Sequence, residues 1–364
     1  MKLLRASLVA VASFLAACAP PPIDPGRVDA IDQIVDRQLA KGRNVGFAVG
    51  VIDGNKMLVR GYGRIAWDSD AKPSGSTLYE IGWITGVFTT CLLADLSRDG
   101  VVALNDPIRR HLPPEVNVPR SDNGEISLKI LATHTSGLPR LPMNLGPIDQ
   151  DPYANYGTDK LHAFLSEHRL RWKVDERYEE STLGMGLLGH ILERAAGKPY
   201  EELVTARIAG PLGMPDTRIT LAEKLKARLA PPFDENGKPA RNWNFQALAG
   251  AGALKSTVND LLRFLAANLG KGEPRLVEVL ASCHATRRSV TDRLRIGLGW
   301  RQSPVRSGGN WTIWHSGKTG GYVSWIGFVK ESNTAVVVLS NTSGDNALKA
   351  TESVATEILE LLNP

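Results

Sequence analysis

The chain is poor in cysteine and has no dense tract of lysine and arginine. Three of its 364 residues are cysteine, which excludes a disulfide framework, and no cysteine–histidine spacing typical of a zinc site occurs. The net charge is +5 and charged residues make up 22% of the chain, which is ordinary for a globular protein. Because there is no basic tract, nucleic acid is not an expected partner. The hydrophobic share of 43% supports one large domain or two closely packed subdomains.

The first residues have the pattern of a bacterial export signal. Two basic residues precede an apolar stretch at 8–15 that is too short to span a bilayer. The run Leu-Ala-Ala-Cys that ends at Cys18 then resembles a lipobox, in which the cysteine is lipidated and becomes the mature N-terminus. We predict a lipoprotein signal peptide at 1–18 and a Pro-rich tether at 19–27. Ala19, and not Asp, follows this cysteine, which in Gram-negative lipoproteins favours the outer membrane. We therefore predict an outer-membrane lipoprotein that faces the periplasm. An ordinary signal peptide is the alternative.

Two further cysteines leave two interpretations open. Cys91 lies in an apolar helical stretch and is predicted to be a buried thiol. In an exported protein, a disulfide between Cys91 and Cys283 is the alternative.

Periodic apolar residues predict strands near both ends of the chain and helices between them. The Asp-Gly-Asn run at 53–55 joins two strands in a hairpin. Three consecutive antiparallel strands are predicted at 311–316, 322–329 and 334–339. Helices are predicted at 28–41, 84–98, 184–197 and 347–362, with another from Thr257, whose spacing to Asp260 resembles a capping box. We therefore predict an α+β fold, with one antiparallel sheet from about 28–80 and 290–364, flanked by helices, and a large helical insertion at about 81–289.

Four short runs resemble motifs of one protein family and follow that family's order. They are Leu-Asn-Asp-Pro at 104–107, His-Thr-Ser-Gly-Leu-Pro at 134–139, Pro-Leu-Gly-Met at 211–214 and Ser-Thr-Val-Asn-Asp at 256–260. Over about 28–360 the chain is similar to the serine β-lactamase and penicillin-binding-protein family, which includes class C β-lactamases, DD-peptidases and esterases. The resemblance implies a β-lactamase/transpeptidase-like fold, with the active cleft between the sheet edge and the helical region.

The nucleophile segment of that family resembles residues 79–89, but its reactive side chains are replaced. Family members carry Ser-x-x-Lys, and the flanking Ile-Gly and Phe-Thr align Trp83 with the serine and Gly86 with the lysine. Residues three apart on a helix share a face, which lets a lysine amine reach a serine hydroxyl. An indole offers no nucleophile. We expect the Trp83 ring to plug the pocket in the space of the missing lysine; a ligand-stacking platform is the alternative.

The family's second segment, Tyr-x-Asn, aligns with residues 180–182. Glu180 stands at the tyrosine position and Thr182 at the asparagine position, while Ser181 keeps the family's middle serine. Glu180 is interpreted either as a carboxylate base or as a solvated loop residue. Tyr178, two residues earlier, reaches the cleft only if the local register slips.

The family's third segment, Lys-Thr-Gly or His-x-Gly on a strand that lines the cleft, resembles His315-Ser316-Gly317. In active members this strand offers backbone groups to the substrate, and its glycine permits close approach. The predicted ligand-binding residues are therefore His315, Ser316, Gly317 and Ser181. The literal Lys-Thr-Gly at 318–320 is the alternative, and we place Lys318 in the turn after the strand.

The replacement of serine, lysine and tyrosine predicts that no catalytic residue is intact. In serine proteases, loss of a triad member costs several orders of magnitude in rate. We predict a catalytically inactive envelope lipoprotein that binds a peptidoglycan-derived peptide or a protein partner, uses no cofactor or metal, and is held at the membrane through a lipid on Cys18. The alternative is an active β-lactamase, DD-carboxypeptidase or esterase built on Ser181, Glu180 and His315.

Overall fold

The computed structural model describes residues 20–146, 151–306 and 309–364. The predicted signal peptide, the lipidation site at Cys18 and the first residue of the tether lie outside these ranges. Of the helices within them, none is long and apolar enough to cross a membrane.

An eight-stranded antiparallel sheet forms the centre of the fold. The strands are β1 (Gly46–Asp53), β2 (Lys56–Gly63), β3 (Tyr79–Glu80), β4 (Arg120–Ser121), β5 (Gly124–Glu125), β6 (Lys255–Ser256), β7 (Arg288–Thr291), β8 (Leu294–Ile296), β9 (Arg301–Pro304), β10 (Trp311–Lys318), β11 (Val323–Val329) and β12 (Thr334–Ser340). The order in the large sheet is β2-β1-β12-β11-β10-β9-β8-β7, so strands from the two chain ends lie side by side. The predicted hairpin and the three C-terminal strands are confirmed. The sequence pattern does not predict β7, β8 and β9, which are short and only partly buried.

Eleven α-helices in the described residues cover the sheet and form the insertion. They are α1 (Pro25–Leu39), α2 (Thr85–Arg98), α3 (Leu128–Ala132), α4 (Thr158–Glu167), α5 (Thr182–Ala196), α6 (Tyr200–Val204), α7 (Glu223–Lys226), α8 (Ala249–Gly252), α9 (Val258–Asn268), α10 (Pro274–His284) and α11 (Asp345–Leu362). Short 3-10 turns span Gly82–Ile84 and Ile108–His111, and a π turn spans Thr205–Ala209. The predicted helices are confirmed, and the predicted α+β architecture with a helical insertion is correct.

The sheet separates two apolar cores because side chains alternate along each strand. On β12, Val336 and Val338 pack in the core under α1 and α11, whereas Val337 faces the larger core of the helical region. Every residue of β12 is buried, as expected for a central strand covered on both faces. In the larger core, Phe88 of α2 stacks on Phe264 of α9 with ring centroids 4.4 Å apart. Complete burial of such side chains contributes about 1.5–3 kcal/mol each.

The tether is shorter than predicted. Helix α1 begins at Pro25, which suits a first helical turn because no N–H partner is needed there. Before the helix, the Pro21 carbonyl accepts a hydrogen bond from Met57 N at 3.0 Å, and Ile23 is buried. Residues 21–27 therefore belong to the folded domain, which corrects the predicted boundary at residue 27.

The N-terminus of α9 is capped by Thr257, whose Oγ1 accepts a hydrogen bond from Asp260 N at 3.2 Å. The second half of the predicted capping box is wrong. The Asp260 carboxylate accepts instead from Asp216 N at 2.8 Å and from Thr217 Oγ1 at 3.0 Å. A capping box uses Glu or Gln, and the shorter Asp side chain binds the neighbouring loop here.

The two cysteines of the described chain are free thiols. Cys91 on α2 and Cys283 on α10 are both buried, and no disulfide joins them. Burial holds the pKa of the Cys91 thiol well above its usual range. The structure therefore has the buried-thiol arrangement rather than the disulfide alternative.

Candidate functional site

Trp83 lies in the 3-10 turn between β3 and α2. The preceding Gly82 has a φ of +50°, and a Cβ on it would lie 2.7 Å from Lys318 N and 2.8 Å from Lys318 O. Both the positive φ and this close backbone approach require glycine. The turn therefore holds Trp83 beside the end of β10, the strand that carries His315.

A cavity of about 30 Å³ lies beside the Trp83 ring. Its lining consists of Trp83, Gly86, His134, Arg140, Glu180, Ser181, Thr182, Met185, Ala251 and His315. Six of the predicted site residues are thus brought together, whereas Ser316 and Gly317 do not belong to the lining. The volume is sufficient for about one or two water molecules and far too small for a peptide.

Gly86, at the position of the family's lysine, faces Met185 of α5. A Cβ on Gly86 would lie 3.0 Å from Met185 Cγ, 3.5 Å from Sδ and 3.6 Å from Cε, and these are its nearest atoms. Met185 is therefore the side chain nearest to the place where the Cβ of a lysine at this position would lie. The flexible thioether of methionine suits irregular gaps in a core.

Arg140 covers the Trp83 ring. Its guanidinium carbon lies 4.6 Å from the ring centroid, a cation–π contact that contributes about 0.5–1 kcal/mol when exposed. Arg140 is itself exposed, and no ion pair joins it to a carboxylate of the residues that the structure describes. Its positive charge is therefore available to a ligand.

Glu180 is held in the site by two partners. Its carboxylate forms an ion pair with Arg301 of β9, and Oε1 accepts a hydrogen bond from the Tyr178 hydroxyl at 2.9 Å. The interpretation of Glu180 as a solvated loop residue is therefore wrong. Tyr178 reaches the site through Glu180 without a register slip, and burial raises the pKa of its phenol. The carboxylate is paired with the Arg301 charge and is therefore not free to act as a base.

Ser181 is the N-cap of α5. Its Oγ donates to the Pro139 carbonyl at 2.7 Å and accepts from Gly184 N at 2.8 Å. Serine at the N-cap usually accepts a hydrogen bond from a backbone N–H of the first turn, which has no partner within the helix. Both bonds lie within the protein, so the hydroxyl is committed to structure. Thr182, the first residue of the helix, is buried beside it.

His315 is buried in the site as an uncharged imidazole. Its Nδ1 donates to the carbonyl oxygen of Ser316 at 2.8 Å. Burial, reinforced by the nearby charge of Arg301, holds the pKa of His315 well below its usual range. Its Nε2 is therefore the nitrogen with a free lone pair.

His134 is a second uncharged imidazole in the lining. Its Nδ1 accepts a hydrogen bond from Ser181 N at 3.2 Å, which links the 134–139 run to α5. Burial, together with the charges of Arg301 and Arg140, lowers the pKa of His134 to about 4. With both histidines neutral and Glu180 paired, the charge left for a ligand is that of Arg140.

The strand that carries His315 is longer than predicted. Lys318 is the last residue of β10 and pairs with Val323 of β11, so it lies in the strand rather than in the turn. Its Nζ binds Asp345 at 2.7 Å. A Cβ on Gly317 would lie 2.1 Å from the Ile81 carbonyl oxygen. The Ile81 backbone therefore covers this face of the strand at Gly317, which keeps that glycine out of the lining.

Four lining residues lie outside the predicted site: His134, Arg140, Met185 and Ala251. Arg301 is a fifth residue that the sequence does not indicate; it pairs with Glu180, and burial together with its charge lowers the pKa of His134 and His315. The only sequence signal among them is the 134–139 run, which resembles a family motif and which Arg140 directly follows.

The chain is similar to known proteins over most of its length. A family model described as Beta-lactamase matches residues 31–358. The D-alanyl-D-alanine-carboxypeptidase/endopeptidase AmpH of Escherichia coli (strain K12) is 27% identical, over 94% of this chain and 91% of its own length. A Beta-lactamase of Pseudomonas fluorescens is 26% identical, over 87% of this chain and 94% of its own.

Solved structures show the same fold. The Beta-lactamase/D-alanine Carboxypeptidase from Yersinia pestis, complexed with citrate, superposes with a TM-score of 0.81 at 27% identity, covering 93% of this chain and 99% of that one. A class C beta lactamase from Rhodobacter sphaeroides superposes with a TM-score of 0.78 at 23% identity, covering 91% of this chain and 99% of that one.

Proposed function

The chain belongs to the Beta-lactamase family, and we propose that it is a non-catalytic member whose cleft binds a peptidoglycan-derived peptide. The observation that carries the proposal is Trp83, an indole at the position where family members have their serine nucleophile. We further propose that the protein is an exported lipoprotein, anchored through Cys18 in the outer membrane and facing the periplasm. A protein partner in the envelope is the other ligand that this surface can take.

The chemistry of the site supports the absence of acyl transfer. The Ser181 hydroxyl lines the cavity, but it caps a helix. Gly86 carries no amine that could deprotonate a nucleophile. In serine hydrolases, loss of one such group lowers the rate by several orders of magnitude. The residue at position 83 offers no nucleophile on which an acyl-enzyme could form.

The available charge supports a ligand that carries a carboxylate. Arg140 is exposed, stacks on Trp83 and offers a planar donor set suited to carboxylates. The relative from Escherichia coli is named a D-alanyl-D-alanine-carboxypeptidase/endopeptidase, and the Yersinia pestis protein is complexed with citrate. A peptide ending in D-Ala-D-Ala is therefore the first ligand to test. It would rest against the Trp83–Arg140 stack, since the cavity behind holds only about 30 Å³.

The alternative of an active hydrolase built on Ser181, Glu180 and His315 has less support. The Ser181 hydroxyl already makes two internal hydrogen bonds, and Glu180 is paired with Arg301. No observation on the site favours this constellation over the binding function.

Calorimetric titration and a turnover assay on the same purified protein test the proposal. We expect saturable binding of an N-acetylated peptide that ends in D-Ala-D-Ala, no binding of the amidated peptide, and no hydrolysis of either. We also expect no hydrolysis of nitrocefin. Turnover of nitrocefin that His315→Ala or Ser181→Ala removes would overturn the proposal in favour of the alternative.

A further inference from the structure

Two histidine side chains meet on the helical region, away from the Trp83 cavity. His162 lies on α4 and His190 lies on α5, and their Nε2 atoms are 3.3 Å apart. The ring centroids are 5.3 Å apart and the ring planes are inclined by 67°. Neither residue lines the Trp83 cavity, and none of the family segments includes them.

The two distances agree with those of imidazoles that share one tetrahedral metal ion. Two nitrogens at about 2.0–2.1 Å from a tetrahedral zinc ion stand about 3.3–3.4 Å apart, with ring centres about 5.1–5.3 Å apart. A straight N–H···N hydrogen bond of the observed length would instead place the ring centres about 5.6 Å apart. The observed separation of 5.3 Å is shorter than that of a straight hydrogen bond and lies within the range for two rings that share an ion.

We propose that His162 and His190 bind a divalent transition-metal ion of the zinc class, with water molecules completing its coordination. No group of three histidine, cysteine, aspartate or glutamate side chains that could hold an ion occurs in the described ranges. The site therefore has two protein ligands and open positions for water. Such a site binds more weakly than the closed four-ligand sites that hold structural zinc.

The surroundings give the ion access and second-shell partners. His162 is partly exposed, and His190 borders a cavity of about 190 Å³ whose lining includes Glu193, one turn further along α5. A carboxylate at that place can accept hydrogen bonds from metal-bound water. Glu193 Oε2 accepts a hydrogen bond from Tyr200 N at 3.3 Å.

The charges around the pair partly oppose one another. Asp159 and Glu115 act on His162 as negative charges, and Arg194 acts on both histidines as a positive one. Burial lowers the pKa of both imidazoles, that of His190 to about 4. The pair is therefore uncharged at neutral pH, which is the form that binds metal ions.

A bound ion would link α4 to α5, the helix that Ser181 caps. Metal binding to the folded state alone raises the melting temperature by mass action. The predicted signature is therefore a metal-dependent rise in Tm, separate from any effect on the cleft.

Titration of the tag-free, EDTA-treated protein with Zn²⁺ and with Co²⁺ tests the inference. We expect one equivalent bound by calorimetry, a tetrahedral Co²⁺ absorption band and a rise in Tm. Each of His162→Gln and His190→Gln should weaken the affinity by at least about tenfold. His168→Gln is the matched control, because His168 follows α4 directly and stacks on Phe164 rather than on the pair.

Each outcome decides the question. If His190→Gln does not fold, the partly exposed His162→Gln variant carries the test alone. Absence of saturable binding to the wild-type protein overturns the inference. Binding that survives His162→Gln unchanged, or that His168→Gln weakens equally, overturns it as well.

Discussion

The Arg140 guanidinium lies 4.6 Å from the centre of the ring of Trp83, the residue that we align with the family's serine. A glycine turn fixes Trp83, and Arg140 directly follows the run at 134–139. Their stack borders a cavity of about 30 Å³, and on its exposed side lies the Arg140 charge, which pairs with no carboxylate in the described part of the chain. Under the proposed function, the cleft presents a charge in place of a reactive group.

Replacing Arg140 tests the role of this charge. Arg140→Ala should weaken binding of the D-Ala-D-Ala peptide by about ten- to a hundredfold, because a hydrogen bond to a charged group contributes about 1.5–3 kcal/mol. Arg140→Lys should retain part of the affinity, which calorimetry measures. Arg98→Ala, which removes a surface arginine paired with Glu278, is the control. Equal weakening in that control would contradict the role of Arg140.

Restoring the family's serine and lysine at positions 83 and 86 also requires space for the lysine side chain. The combination Trp83→Ser with Gly86→Lys should be acylated slowly by a fluorescent penicillin, because a Cβ at 86 lies 3.0 Å from Met185 Cγ. Adding Met185→Ala should raise the rate at least about tenfold, since overpacking typically costs about 1–3 kcal/mol. In-gel fluorescence over time measures the rate. Acylation that persists with Trp83→Ala in place of Trp83→Ser would show that the label is elsewhere.

Loss of the Ser181 hydroxyl should affect stability rather than catalysis. Ser181→Ala should lower the free energy of unfolding by about 0.5–2 kcal/mol, the usual cost of losing an N-cap. Ser181→Thr should keep most of that stability, because threonine also caps helices. Urea denaturation followed by circular dichroism measures both. A stable Ser181→Ala variant that loses an esterase activity of the wild type would contradict the capping role.

The neutral histidines should make the fold sensitive to acid. The folded pKa of His134, about 4, lies below the value of about 6.5 in the unfolded chain, so the unfolded state takes up the proton first as the pH falls. Stability should therefore decline below about pH 6.5, by at most about 1.4 kcal/mol per pH unit for each such histidine, and the His134 contribution should level off below about pH 4.

A substitution at His134 isolates its share of this decline. His134 has a φ of +56°, which asparagine tolerates better than most residues, so His134→Asn suits the backbone. The decline in Tm between about pH 6.5 and 4.5 should be shallower in His134→Asn than in the wild type. An identical slope in thermal melts of the two proteins would show that His134 does not titrate as described.

Local patterns predict much of this fold, and remote contacts account for what they miss. The hairpin at 53–55 and the strand at 334–340 follow from turn chemistry and apolar runs, which act between near neighbours. The alignment of Trp83 and Gly86 with the family's serine and lysine depends on the flanking Ile-Gly and Phe-Thr, which are neighbours in the sequence. Met185 and Arg301 reach the site through tertiary packing, so no spacing indicates them. The capping role of Ser181 looks the same in sequence as a ligand-binding role.

We propose that the cleft binds a ligand without forming an acyl-enzyme. Intact-mass spectrometry of the purified protein after incubation with excess benzylpenicillin tests it most directly. We expect an unchanged protein mass, from a preparation that still binds the D-Ala-D-Ala peptide with saturation. A stoichiometric penicilloyl adduct would overturn the proposed function, and an adduct mapped to Ser181 would establish the active-hydrolase alternative.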